Sequence, residues 1–214
     1  MSNTITMHDR FHAWFLETAK GTIDRIHHER KQRLLGSLSG TVVEIGAGTG
    51  ANFDYFPSNC RLIAAEPNPA MRRRLTTRVV DEGLDVDIRG ARGEQLDLDD
   101  NTADAVVSTL VLCSVDNVPE VLAEITRVLK PGGRFIFLEH VAAKPDTLVH
   151  RVQTTLHRPH EWVFEGCQTN RDLETELTSA GFAFESIERF SVRSPLPQVS
   201  PHIAGSAQLS ESPC

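Results

Sequence analysis

The feature that most constrains this chain is a regular alternation of short apolar runs with helical segments between residues 42 and 138. Strands that alternate with helices pair in parallel, and the helices cover both faces of the sheet. The pattern therefore predicts an α/β fold. The predicted strands of this region are Val42–Ile45, Arg61–Ala65, Val86–Arg89, Ala105–Leu112 and Arg134–Leu138.

Helical periodicity and local stop signals place the helices between and around these strands. Pro69 suits the first turn of a helix, and Gly83 suits its end. Weaker strand signals cover 182–190 and 202–208. The predicted helices are 7 to about 36, Ala51–Phe56, Pro69–Glu82, Pro119–Leu129, Asp146–His157 and Thr169–Ala180.

The length of 214 residues favours a single domain. We expect one domain over 1–214, made of an N-terminal helical cap (1–36), a core (37–209) and a tail (210–214). The chain has 22 Lys and Arg against 29 Asp and Glu, a net charge of −7. An acidic surface repels phosphate backbones, so a nucleic-acid partner is disfavoured.

Nothing in the sequence suggests export or membrane insertion. No apolar run reaches the roughly 20 residues that span a bilayer, and the first residues lack the apolar core of a signal peptide. The four cysteines, at 60, 113, 167 and 214, are dispersed and form no C-x-x-C pair. They predict reduced thiols, no metal site and a cytoplasmic location.

The segment from Val42 to Asn52 carries the strongest functional signal. A buried strand runs into a glycine turn, which lets a ligand approach the backbone. The spacing of Gly46, Gly48 and Ala51 also fits a relaxed dinucleotide-binding fingerprint. Glu44 favours another ligand, because a carboxylate repels a pyrophosphate and attracts a sulfonium or an ammonium. Glu66 follows Gly46 by 20 residues, where an acid receives ribose hydroxyls in this architecture.

These features resemble the class I S-adenosylmethionine-dependent methyltransferases. The residues that carry the resemblance are Glu44 to Gly50, Glu66, Ala103 to Leu112 and the turn from Leu129 to Gly133. The resemblance implies S-adenosylmethionine as cofactor and a Rossmann-like, seven-stranded, mostly parallel sheet whose last strand is antiparallel. The cofactor-binding residues it implies are Glu44, Gly46, Ala47, Gly48, Gly50, Asn52, Glu66, Pro67, Gly93, Thr109 and Leu110.

A closer resemblance, over nearly the whole chain, is to the microsomal alkyl-thiol S-methyltransferases. It rests on the segments 48–53, 66–69, 109–115, 138–143, 164–167 and 201–203. This chain departs from that group in lacking the N-terminal apolar anchor, so we expect it to be soluble. Glu66 stands where the group usually has Asp. Arg92 stands where many class I enzymes place Asp near the adenine, so that contact would pass to the backbone of Gly93.

The acceptor should bind beyond the carboxyl ends of the strands, where the strand order reverses. His140 is the first candidate for a general base or a thiolate-orienting group. Glu139, its neighbour in the sequence, and Cys113, which directly follows the fourth strand and could line the pocket, are the other catalytic candidates. A packed loop histidine and a buried structural cysteine are the alternatives. The candidate substrate-binding residues are Phe11, Trp14, Phe15, His157, Trp162 and Cys167. The aromatic residues among them could instead pack the N-terminal helices on the sheet, and His27 with His28 is interpreted as a solvated helix face.

The favoured function is S-adenosylmethionine-dependent methyl transfer to a small molecule, with a thiol as acceptor. O-, N- or C-methylation of a lipid, quinone or secondary metabolite is the first alternative, because one fold hosts all these reactions. A non-catalytic S-adenosylmethionine-binding protein and a nicotinamide-dependent oxidoreductase are alternatives from other classes. The oligomeric state cannot be deduced from the sequence.

Overall fold

The computed structural model describes residues 21, 23–163, 166–194 and 196–210, without the side chains of 159, 160, 162 and 163. The predicted cap residues Phe11, Trp14 and Phe15, the side chain of Trp162 and the end of the tail lie outside this range. In the part that is described, no helix is long and apolar enough to cross a membrane.

Seven strands form one sheet in the order β3-β2-β1-β4-β5-β7-β6. All neighbours pair in parallel except β7, which is antiparallel to both β5 and β6. This confirms the predicted fold class. The strands are β1 (Gly40–Ile45), β2 (Cys60–Ala65), β3 (Val86–Arg89), β4 (Ala103–Thr109), β5 (Leu129–His140), β6 (Phe182–Ser191) and β7 (Pro201–Leu209).

In the described part of the chain, five α-helices connect and cover the strands: α1 (23–35), α2 (Pro69–Glu82), α3 (Val118–Val128), α4 (Leu148–Val163) and α5 (Leu173–Ser179). Local signals set the ends of α2 as predicted. The Asn68 side chain accepts hydrogen bonds from the backbone N–H groups of Ala70 and Met71. Gly83 closes the helix in the left-handed conformation at φ 64°.

Several predicted boundaries were wrong. The fourth strand ends at Thr109 rather than Leu112, because Leu110 takes a positive φ of 57° and turns the chain. The fifth strand begins at Leu129, through the predicted Pro-Gly stop, because Leu129 pairs with Ala103 before a bulge in the register. The predicted helix at Ala51–Phe56 is only a 3-10 turn over Phe53–Tyr55.

Apolar side chains pack on both faces of the sheet, as parallel strands require. On one face Val43, Val106 and Phe135 meet apolar residues of α3 and α5. On the other face Val42 and Val107 meet apolar residues of α1 and α2. Among the described residues, helices thus cover both faces of the central strands, and the carboxyl ends of these strands are where a ligand is expected to bind. The carboxyl ends of β1, β2, β4 and β5 share one edge of this sheet.

Candidate active site

The glycine turn that follows β1 forms an open backbone cradle. Gly46, Gly48 and Gly50 all have positive φ, at 61°, 58° and 84°. A Cβ at Gly46 would lie 2.5 Å from a methyl of Val111, so this turn packs closely against the chain that follows β4. A Cβ at Gly48 would meet no atom of the described residues nearer than 4.0 Å, so these residues leave space beside it. Ala47, between them, is buried and donates its backbone N–H to Ala65.

Glu44 lies directly below this cradle and is only 2% exposed. One carboxylate oxygen accepts a hydrogen bond from Asn52 Nδ2 at 2.6 Å, and the same Nδ2 also reaches Thr109 Oγ1 at 3.1 Å. Burial raises the pKa of Glu44 to about 7, and the hydrogen bond from Asn52 opposes the rise.

Two acceptors in this group lack a hydrogen-bond partner among the described residues: Glu44 Oε2 and Asn52 Oδ1. An unpaired buried polar atom costs about 1–3 kcal/mol. Two such oxygens beside an open cradle therefore suit a ligand that brings N–H donors and positive charge. An ammonium group meets both requirements.

Glu66 follows β2 and holds the cradle in shape. Its two carboxylate oxygens accept the backbone N–H groups of Gly48 and Asn68, each at 2.7 Å. Arg72 donates to the backbone oxygens of Glu66 and Pro67 and fixes this turn from below. An acid at the end of the second strand is where the hydroxyls of a ribose bind in this architecture.

The turn after β4 faces the cradle across the point where the strand order reverses. Leu110 holds a left-handed backbone conformation, and its N–H donates to Leu138 of β5 at 2.8 Å. Such a conformation is strained in a residue other than glycine, and strain of this kind clusters at binding sites. It directs the backbone of Thr109 and Leu110 along the edge of the sheet.

Glu139 is completely buried beneath that turn. Its carboxylate accepts hydrogen bonds from Ser108 Oγ and from the backbone N–H of Val111. Burial raises its pKa to about 7, against these hydrogen bonds. The side chain predicted to be catalytic is therefore committed to holding the β4 turn, and we interpret Glu139 as a positioning residue.

The other two predicted catalytic residues, Cys113 and His140, come together with Cys167. The sulfurs of Cys113 and Cys167 are 3.6 Å apart, and potential ligand atoms of all three residues lie within 4.8 Å of one another. The hydrogen bond from Cys167 and burial raise the pKa of Cys113 above its ordinary value. His140 Nδ1 is buried and has no hydrogen-bond partner among the described residues.

Comparisons with known proteins agree with this geometry. Residues 43–137 match the family model described as a methyltransferase domain. Human thiol S-methyltransferase TMT1A is 37% identical over 176 residues, which is 80% of this chain and 71% of the relative. Human thiol S-methyltransferase TMT1B is 33% identical, over 86% of this chain and 80% of the relative. The chain belongs to the TMT1 group of class I S-adenosylmethionine-dependent methyltransferases.

Solved structures place the TMT1-group chain in the same fold class. A possible histamine N-methyltransferase from Thermotoga maritima aligns with a TM-score of 0.69 at 18% identity, over 94% of this chain and 97% of that one. Geranyl diphosphate C-methyltransferase from Streptomyces coelicolor aligns with a TM-score of 0.70 at 14% identity, over 86% and 80%. At such identities the likeness concerns the fold alone.

This TMT1-group methyltransferase contains a buried histidine pair that the sequence interpretation missed. His27 is 3% exposed, so its assignment to a solvated helix face was wrong, whereas His28 is exposed. The rings of His27 and His202 lie 5.1 Å apart, and His202 lies 4.5 Å from the ring of His140. Burial lowers the pKa of His27 to about 4 and that of His202 to about 3. A signal was available in the sequence: His27 stands four residues before Lys31 and eight before Leu35, so the three share one face of the helix, and all three are buried.

Two further predicted site residues, Gly93 and His157, are not members of the cluster. Gly93 follows β3, and a Cβ there would lie 3.3 Å from Val121 of α3. It therefore lies at the correct edge of the sheet for its predicted contact. His157 lies on α4, where its ring is 3.7 Å from the carboxylate of Glu161 on the same helix. Their predicted contacts with cofactor and substrate stay predictions.

Proposed function

We propose that this enzyme transfers the methyl group of S-adenosylmethionine to the sulfur of a small thiol. The observation that carries the proposal is the identity of 33–37% to human thiol S-methyltransferases over most of the chain. The Cys113, His140 and Cys167 cluster supports it, because these groups lie at the carboxyl ends of β4 and β5, next to the cradle.

The residues around the cradle fit the cofactor. The unpartnered oxygens of Glu44 and Asn52 suit the ammonium of its amino-acid portion. Glu66 suits the ribose hydroxyls. The glycine turn and the backbone of Thr109 and Leu110 enclose the ligand from two sides. Ala47 and Pro67 complete the two turns, and the backbone of Gly93 is the proposed contact for the adenine.

Bound S-adenosylmethionine supplies a methyl group already activated on a sulfonium. The protein must hold the acceptor sulfur in line with that methyl group, exclude water and assist loss of the thiol proton. A free thiol, with a pKa near 8.5, is only a few per cent thiolate at neutral pH. His140 is the proposed group that takes this proton or orients the thiolate, since its buried Nδ1 has no partner among the described residues.

A panel of acceptors tests the proposal. S-adenosylhomocysteine release is measured by mass spectrometry with small thiols, phenols and amines, each at saturating S-adenosylmethionine. Thiols are expected to give turnover together with the matching methyl thioether. Turnover on phenols or amines without turnover on thiols would contradict the thiol assignment.

We also propose a reducing compartment, the cytoplasm, as the location. The three described cysteines form no disulfide, although two of their sulfurs are within 3.6 Å. Fractionation of cells that express the tagged chain tests this. Recovery in the soluble fraction is expected, and recovery with the membranes would contradict it.

A further inference from the structure

The cluster of Cys113, His140 and Cys167 has the shape of a metal site. Zinc binds thiolates at about 2.3 Å in a tetrahedron, so two sulfurs on one zinc ion are about 3.8 Å apart. The sulfurs of Cys113 and Cys167 are 3.6 Å apart before any ion is considered. A ring nitrogen of His140 lies within 4.8 Å of both sulfurs. A tetrahedral ion could thus be bound with only small movements of these side chains.

The backbone around the cluster is held by hydrogen bonds that do not involve the sulfurs. The N–H of Gln168 donates to the backbone oxygen of Cys113 at 2.7 Å. The guanidinium of Arg171 donates to the backbone oxygens of Leu112 and Val115, each at 2.6 Å. These hydrogen bonds therefore hold the loop that carries Cys167 against the turn that carries Cys113. Ligands held in place beforehand need little reorganisation to bind an ion.

The imidazole of His140 gives a second, independent indication. Its Nδ1 is buried and lacks a partner among the described residues, while the ring packs against His202 at 4.5 Å. Backbone pairing of His140 with His202, in the β5–β7 ladder, fixes the position of the ring further. A buried imidazole nitrogen without a partner is unfavourable, and a bound metal ion would satisfy it.

The chemistry of the three ligands selects the type of ion. Thiolate and imidazole ligands suit zinc, whereas magnesium and calcium prefer oxygen. Two cysteines and one histidine leave the fourth tetrahedral position open, which is the arrangement of catalytic rather than structural zinc. Two thiolates also neutralise the charge of a divalent ion at this buried position.

We propose that Cys113, His140 and Cys167 bind Zn²⁺ and that the open fourth position takes the acceptor thiol. The second half rests on the proposed function. The acceptor binds zinc as its thiolate and releases its proton to solvent. A lone pair of the thiolate sulfur forms the new bond to the methyl carbon. The carbon–sulfonium bond breaks, its electrons remain on S-adenosylhomocysteine, and the neutral methyl thioether leaves the zinc.

In this arrangement His140 orients the thiolate through the metal rather than acting as a base. The ion lowers the pKa of the bound thiol, so more of it is thiolate at neutral pH. Small thiols without other recognition groups then become competent acceptors, because the metal–sulfur bond supplies the positioning.

Metal binding is tested without reference to activity. The protein is reduced with a phosphine, freed of metal and titrated with Co²⁺, whose bonds to thiolates give a near-ultraviolet charge-transfer band; Zn²⁺ is then added as competitor. One Co²⁺ per chain, displaced by Zn²⁺, is expected. Cys113→Ser and Cys167→Ser are expected to weaken binding at least about a hundredfold. Absence of the band from the wild-type protein overturns the site.

Cys60→Ser is the matched control, because Cys60 is partly buried at the start of β2, and its sulfur donates to the backbone oxygen of Leu38 and lies outside the cluster. It should bind Co²⁺ like the wild type. S-adenosylhomocysteine binding by each variant verifies that the cradle is folded. If folded Cys113→Ser and Cys167→Ser both keep the full band, the assignment is wrong.

A separate measurement tests the open position. Methyl thioether formation is compared in Zn²⁺-loaded and chelator-treated protein with a thiol that binds zinc weakly. At least a tenfold loss on metal removal, restored by Zn²⁺, is expected. Equal rates overturn the role of zinc in acceptor binding. Intact metal binding with no thiol methylation in either form supports the metal site and overturns the proposed function instead.

Discussion

At the scale of single residues, Glu44 and Asn52 are the groups that we propose to recognise the cofactor. Each has one buried oxygen without a partner among the described residues, next to a glycine turn that leaves open space beside Gly48. The sequence predicted Glu44 from its position before the turn. It also predicted Glu66, whose carboxylate bonds to the backbone of Gly48. Glu44 lies near the end of β1 and Glu66 directly follows β2, so the strands fix where both carboxyls lie. Their contacts with the cofactor stay predictions.

Glu44→Gln is expected to weaken S-adenosylmethionine binding about tenfold to a hundredfold. The variant keeps the shape of the side chain and removes the charge, and a hydrogen bond to a charged group contributes about 1.5–3 kcal/mol. Isothermal titration calorimetry measures the dissociation constant. Glu185→Gln, on the exposed side of β6, is the control and should bind as the wild type does. Equal affinities in all three proteins would contradict the role of Glu44.

The affinity should also depend on pH. Burial raises the pKa of ligand-free Glu44 to about 7, and a bound cation favours the ionised form. Affinity for S-adenosylmethionine therefore falls as the pH is lowered through about 7 and levels off above it. In Glu44→Gln this dependence should be lost. A wild-type profile that is flat between pH 5.5 and about 8 would oppose the assignment.

At the scale of elements, the sequence predicted what local signals control. The ends of α2 were correct because Asn68 and Gly83 cap that helix from within its own segment. The start of β5 was missed because it depends on pairing with Ala103 across the sheet. The cluster of Cys113, His140 and Cys167 could not be predicted from the spacing of these residues in the sequence. It forms only when the folded chain brings the loop that carries Cys167 against the turn after β4.

Arg171 joins those two elements, so its loss should destabilise the site. Arg171→Ala leaves the backbone oxygens of Leu112 and Val115 without this donor, and an unsatisfied buried group costs about 1–3 kcal/mol. We expect a loss of that size in the free energy of unfolding, measured by urea denaturation. Arg189→Ala is the matched control, because Arg189 is largely exposed and forms a surface ion pair with Glu174. A change within about 0.5 kcal/mol is expected there. Equal losses of unfolding free energy in both variants would argue against a stabilising role for the hydrogen bonds of Arg171.

At the scale of the whole molecule, folding keeps four ionisable groups in a low-dielectric interior. Burial raises the pKa values of Glu44 and Glu139 to about 7 and lowers those of His27 and His202 to about 4 and 3. The carboxyls are more easily ionised in the unfolded chain, so their contribution to stability falls as pH rises from about 4.5 to 7. In the unfolded chain the histidines are protonated below about pH 6.5, whereas in the folded protein they stay neutral down to about pH 4. Their contribution to the free energy of unfolding therefore falls as the pH drops from about 6.5 towards 4.

These opposed contributions largely cancel between pH 4.5 and 6.5 in the ligand-free protein. Replacing one carboxyl leaves the contribution of the histidines partly uncompensated. In Glu139→Gln, the free energy of unfolding should therefore rise more steeply with pH over this range than in the wild type. In His27→Gln it should rise less steeply or fall. Urea denaturation at several pH values gives both slopes, and parallel profiles for the two variants would contradict the assignment of these groups as buried and neutral.

The most direct measurement is transfer of a deuterated methyl group from S-adenosylmethionine to a small thiol, followed by mass spectrometry. The proposed function predicts a trideuteromethyl thioether and an equal amount of S-adenosylhomocysteine. It also predicts that Glu44→Gln lowers kcat/KM for S-adenosylmethionine at least about tenfold, while Glu185→Gln leaves it unchanged. Label found on oxygen, nitrogen or carbon of other acceptors only, or no transfer to thiols by protein that binds the cofactor, would contradict thiol S-methylation.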